Sequence, residues 1–206
     1  MLSWLRICRL FFALLCIAAI VALGQFAVLE KQVPVGHYFS FFTIQSNLLA
    51  AALLIIGAAR PAWSVSPAGL LCRGAVVLYL MITGVIYALL LSELPEVKEM
   101  MLPWADRVLH EVIPLVVVAD WLIARPQAVF TFRQTLGWLI YPFFYMTYSL
   151  VRGALVHWYP YPFLNPAQPG GRLALAGYCA GISLLALLLS WGIVRAGRWR
   201  SGGQRP

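Results

Sequence analysis

Charge is what this sequence has least of. Asp, Glu, Lys and Arg make up 11% of its 206 residues, against 62% hydrophobic, and mean hydropathy is +0.84. A soluble domain carries about a quarter of its residues as charges, and a chain this apolar has no means of solvating a globular surface. The soluble class is excluded and the integral-membrane class remains. Cysteine chemistry is missing too: Cys8, Cys16, Cys72 and Cys179 show no CxxC or metal-ligand spacing and sit in or beside apolar runs, as small hydrophobes do. The net charge of +8 could point to nucleic acid. Here, however, the basic residues fall between and after the apolar runs, as topology determinants, so no nucleic-acid partner is expected. There is no G-x-S-x-G elbow. His110-Glu111 is followed by Val112-Ile113-Pro114, which is no HExxH zinc site. Neither a metal nor an organic cofactor is implied. Internal repeats, low-complexity segments and a soluble domain are also lacking.

What is present is a series of apolar runs. A membrane span needs about 20 mainly apolar residues, and six stretches qualify: 7–29, 42–59, 68–91, 108–124, 136–158 and 173–194. The expected fold is all-α, a single polytopic membrane domain with short Pro-rich connections and a basic tail at 195–206. Residues 1–24, with Arg6 and Arg9 before an apolar run and Ala22-Leu23-Gly24 after it, have the outline of a cleavable signal peptide. Apolar character continues through Leu29, long enough to span. If the runs alternate, ten basic residues (Arg6, Arg9, Arg60, Arg73, Arg125, Arg133, Arg195, Arg198, Arg200, Arg205) fall on one side and five (Lys31, Lys98, Arg107, Arg152, Arg172) on the other. Both termini are therefore expected in the cytoplasm. The acidic loop bearing Glu93, Glu96, Glu99 and Asp106 lies outside.

The stretch Phe41–Ala50, FFTIQSNLLA, places polar groups where the second span enters the membrane. Hydrocarbon offers no water, so each must find a protein partner or line a cavity. Helical spacing lets Thr43, Ser46 and Asn47 point together, with Gln45 elsewhere. On this topology His110 and Glu111 of the fourth span, and Tyr148 and Arg152 of the fifth, share a leaflet with Thr43. Asp120 lies roughly 15 Å deeper than His110 and is a poor partner for it. Each group also has a plain reading. His110 can be a hydrogen-bonded structural histidine, Glu111 can pair with Arg107, and Arg152 can snorkel. Tyr141, Tyr145, Tyr148 and Arg152 form one helical stripe, a common packing pattern. Pro114 frees a carbonyl about one turn earlier, near His110. A Thr hydroxyl with a neutral imidazole as base permits acyl transfer. Gln45, Asn47, Glu111, Tyr148 and Arg152 are candidate binding or oxyanion-stabilising groups.

Four segments sharpen this: FFTIQSNLLA at 41–50, LHEVIPLVVVADWLI at 109–123, YPFFYMTYSLVRG at 141–153 and WYPYPFLNP at 158–166. In this order they resemble the androgen-induced-protein family, six-span membrane proteins with bacterial relatives. The resemblance implies a threonine hydrolase that cleaves fatty-acid esters of hydroxy fatty acids. Thr43 would be the nucleophile and His110 the essential histidine. Asn165 stands where the family pattern leads one to expect an acid. The resemblance also implies a bacterial cytoplasmic-membrane location and a membrane lipid as substrate. Two rival readings stand beside it. One is a non-enzymatic protein that binds or moves a small amphiphile. The other is a structural subunit whose polar groups join helices.

Overall fold

The computed structural model describes residues 3–123 and 130–201. The expected end of the fourth span at Ala124, Arg125, and the tail beyond Ser201 lie outside them. Among the described residues the chain is helical without strands. Six long helices organise it: α1 (Ser3–Gln25), α2 (Phe42–Ala59), α3 (Pro67–Ile86), α4 (Ile113–Ile123), α5 (Ile140–Val156) and α6 (Gly171–Ser201). Five helical runs are long and apolar enough to cross a membrane: Ser3–Glu30, Phe42–Ala59, Pro67–Leu91, Arg133–Val156 and Gly171–Ala196. The remaining run is built from Pro103–Arg107, Val108–Val112 and Ile113–Ile123, which follow one another without a break. It carries Asp106, Arg107, Glu111 and Asp120, and so is less apolar than the others.

Small residues let the central helices approach closely. Ala13, Cys16 and Ala19 of α1 are fully buried, as are Ala50 and Ala51 of α2. α1 is thus a wall of the core. Leu78 and Leu80 of α3, with Leu109 and Ile113 before and in α4, complete it. α5 and α6 are peripheral, with far fewer buried residues along their length than α2. They present Phe143, Leu155 and Leu173 at 66%, 75% and 85% exposure, an apolar surface suited to hydrocarbon.

The two ends of the bundle differ in chemistry. At one end Asp120 is buried between two arginines. Arg9 Nε donates to its Oδ1 at 2.7 Å, and Arg73 Nη2 donates to Oδ2 at 2.8 Å. The arginines also donate to the carbonyls of Gly57 and Ser64, so α1, α2, α3 and α4 are clamped together. Arg9 and Arg73, read from the sequence as topology determinants, are buried counter-ions. Asp120, read as a residue near a helix end, is the acid they share. The opposite end holds Thr43 and every π-helical turn found among the described residues: Phe26–Glu30, Tyr87–Leu91 and Val108–Val112.

Candidate active site

α2 begins without a side-chain N-cap, because its flanking residue is Phe41. The first N–H groups of a helix need acceptors, and two tyrosine hydroxyls supply them. Phe42 N–H donates to Tyr145 Oη at 3.1 Å and Thr43 N–H to Tyr161 Oη at 3.3 Å. Tyr145 in turn donates to the Ser40 carbonyl at 2.8 Å. Tyr161 comes from the connection between α5 and α6, which folds back into the bundle. His157 ends α5 with φ 54° and ψ 31°, the left-handed turn that reverses the chain. Gly153 leaves room for the returning loop: a Cβ there would lie 2.1 Å from the Tyr159 ring.

His110 sits in a π-helical turn for a local reason. Pro114 has no N–H to offer the His110 carbonyl, so the regular α register cannot run through this point. Instead Ile113 N–H bonds to the Val108 carbonyl, and the turn widens at His110. Tyr87, opening the π-turn that follows α3, stacks flat on the imidazole, with ring centroids 3.9 Å apart and planes 13° from parallel.

Thr43 and His110 meet. The Thr43 Oγ1 to His110 Nε2 distance is 3.1 Å, with both residues buried, at 7% and 4% exposure. The other ring nitrogen settles the tautomer. Nδ1–H donates to the Asp106 backbone carbonyl at 3.1 Å, so Nε2 is the lone-pair side and the Thr43 hydroxyl donates to it. The Asp106 carboxylate lies beside Nδ1, with Oδ1 at 2.8 Å but off the N–H direction, so it acts as a nearby negative charge. Its other oxygen accepts a hydrogen bond from the Tyr87 hydroxyl. Thr43 is thus hydrogen-bonded to one side of the imidazole, while the Asp106 backbone carbonyl takes the N–H on the other side with the Asp106 carboxylate close by. Tyr161 Oη lies 3.5 Å from Thr43 Oγ1 as well. Burial holds its phenol above the ordinary range, with hydrogen bonding to Thr43 partly offsetting. Thr43 is in the first turn of α2, where the helix dipole favours negative charge.

Asn47 belongs to the site as a brace. Its Nδ2 donates to the Thr43 carbonyl at 2.9 Å and to the Leu109 carbonyl at 3.2 Å, tying the turn that carries Thr43 to the one that carries His110. Ser46 bonds to Thr83 at 3.0 Å. The remaining candidates lie elsewhere. Gln45 donates to the Phe39 carbonyl and accepts from Tyr141. Tyr148 meets Ser40 Oγ at 3.1 Å. Arg152 lies over the Trp158 ring, 5.1 Å from its centroid, and Glu111 is exposed, with no ion pair among the described residues. Asp106 and Tyr161 are the groups that sequence reasoning missed. The Asp-x-x-x-His spacing was there to be read for the first, since i and i+4 share a helix face. The second had no local signal, because its place depends on how a loop folds back.

Two cavities border Thr43. One, of about 240 Å³, opens sideways between α3, α5 and α6. The other, of about 380 Å³, lies under the connections and has His110 in its wall. No group of three or more metal-ligating side chains occurs among the described residues. Compared with known proteins, the chain matches no family model, no curated protein and no solved structure.

Proposed function

We propose that the protein is an intramembrane hydrolase of lipid esters, with Thr43 as nucleophile and His110 as general base, in keeping with the resemblance to the androgen-induced-protein family. The observation that carries this reading is the 3.1 Å contact between a buried threonine hydroxyl and an imidazole nitrogen whose partner atom is already bonded to Asp106. His110 Nε2 takes the Thr43 proton as Oγ1 attacks the ester carbonyl. Asp106 stabilises the imidazolium that results. The tetrahedral oxyanion forms beside the first turn of α2, where the dipole and the Tyr161 hydroxyl stabilise it. Collapse expels the alcohol, which receives the proton from His110. Water then repeats the sequence on the acyl-threonine, using the same base, and releases the acid.

The chain is proposed to cross the membrane six times, with 103–123 as the fourth span and both termini in the cytoplasm. Setting aside the buried Arg9 and Arg73, the bias in basic residues falls from ten against five to eight against five and keeps its direction. The Thr43 end of the bundle then faces outward, and the substrate enters from the outer leaflet.

Turnover of a panel of long-chain acyl esters by the purified protein tests the reading. Wild type is expected to hydrolyse them, and Thr43→Val and His110→Ala to be inactive at equal folded yield. Cleavage that survives in Thr43→Val would place the nucleophile elsewhere. A protein that only binds amphiphiles would show no cleavage by wild type. Reporter fusions at Glu96 and at the C-terminal tail should report opposite sides of the membrane.

A further inference from the structure

The two cavities at Thr43 are chemically unequal, and their relation to His110 gives each a role. Thr43 borders both, whereas His110 borders only the cavity beneath the connections. That loop-side cavity has a polar mouth, with Glu96, His157 and Gln168 in its wall. The lateral cavity is walled by Ile82, Met146, Ile182 and Leu187. Two hydroxyls in its wall are already engaged: buried Thr83 with Ser46 at 3.0 Å, and exposed Ser183 donating to the Cys179 carbonyl at 2.7 Å. Phe143 and Leu187 at its rim are exposed on the apolar outside of the bundle.

Acyl transfer places its own constraint on this geometry. The base that removes the Thr43 proton is the group that hands a proton to the departing alkoxide, so the leaving oxygen must lie on the His110 side of the carbonyl carbon. The acyl carbon chain then points to the other side. Resting on the Thr43–His110 reading, we propose that the lateral cavity is the acyl-chain site, taking a long hydrocarbon chain directly from the bilayer, and that the loop-side cavity holds the alcohol portion. In the first step the Thr43 Oγ1–carbon bond forms and the carbon–alkoxide bond breaks, with the proton passing from Thr43 through His110 to the alkoxide. In the second step water, which reaches His110 through the polar mouth of the loop-side cavity, adds to the carbonyl carbon. The Oγ1–carbon bond breaks and the proton returns to Thr43. The alcohol leaves by the same opening that admits the water, while the acyl chain stays in place until it is released as the acid.

The test uses the full-length protein in lipid nanodiscs and two series of esters. One holds the alcohol constant and compares butanoyl with hexadecanoyl chains; the other holds a butanoyl group constant and compares a small with a bulky alcohol. Met146→Trp and Ser183→Trp, on different helices, fill the lateral cavity; Val97→Trp fills the loop-side cavity. The ratio of kcat/KM for the two members of a series is read within each variant, so folded yield cancels. Met146→Trp and Ser183→Trp are expected to lower the hexadecanoyl-to-butanoyl ratio by about 10-fold or more and to leave the alcohol ratio within about twofold. Val97→Trp should do the reverse. Chain-length discrimination that responds to Val97→Trp and not to the lateral variants would overturn the assignment, as would a loss in the lateral variants that is equal for both chain lengths. Absence of Thr43-dependent hydrolysis in the wild type is a different result, since it removes the reaction itself.

Discussion

Replacing Asp106 with asparagine separates its charge from its shape. The His110 Nδ1–H bond goes to the Asp106 backbone carbonyl, so Asp106→Asn leaves the tautomer in place. What is lost is the negative charge 2.8 Å from Nδ1. At an effective dielectric near 20, two unit charges at that separation interact by roughly 6 kcal/mol. The imidazolium charge is spread over the ring and is only partly developed in the transition state, so about half of that is realised. A loss of roughly 3 kcal/mol corresponds to about a 150-fold lower kcat. Ester hydrolysis by wild type and Asp106→Asn at matched folded yield is the assay, and KM is expected to change by less than about twofold because the carboxylate touches no substrate. Tyr87→Phe serves as a control: it removes the hydrogen bond to the other carboxylate oxygen while keeping the ring stacked on His110. It should cost less than about 10-fold. Wild-type kcat in Asp106→Asn, with Thr43→Val inactive, would refute the claim that the carboxylate stabilises the imidazolium.

Other consequences follow from the same geometry. Tyr161→Phe removes a hydroxyl within 3.5 Å of Thr43 Oγ1 and should lower kcat by roughly 10- to 100-fold, below the usual cost of an oxyanion donor because its bonds are long; an unchanged kcat would remove it from catalysis. Asp120→Ala leaves Arg9 and Arg73 buried without their shared acid and should destabilise the fold by about 3–5 kcal/mol, read as a lower melting temperature in detergent. Gly153→Ala drives a methyl into the Tyr159 ring and should lower both stability and activity, because the displaced loop carries Tyr161; wild-type values in both would show that the loop accommodates the methyl.

Much of this arrangement was legible in the sequence, where its origin is local. The apolar runs give the helices. Thr43 and His110 stand out as polar groups inside such runs, and the Pro114 effect on the His110 carbonyl follows from the missing imide hydrogen alone. What escaped depends on tertiary approach. Asp106 reads as part of an acidic connection until 103–123 is seen as one continuous helix. Tyr161 reads as one aromatic in a Pro-rich loop until that loop folds back on α2. Arg9 and Arg73 count toward the charge bias that orients membrane proteins, yet both are buried on Asp120, a pairing across three helices that no single run reveals. The tyrosine stripe of α5 was visible as a periodicity. Its use as a substitute N-cap for α2 was not, since it depends on Phe41 lacking a capping oxygen and on Tyr145 lying opposite.

The central claim is that the Thr43 hydroxyl is a nucleophile activated by His110. Labelling the purified protein with an alkyl fluorophosphonate, followed by peptide mapping, tests this most directly. The predicted result is a single covalent adduct on Thr43, absent in Thr43→Val and lost or greatly slowed in His110→Ala. An adduct on another residue, or undiminished labelling of Thr43→Val, would contradict it.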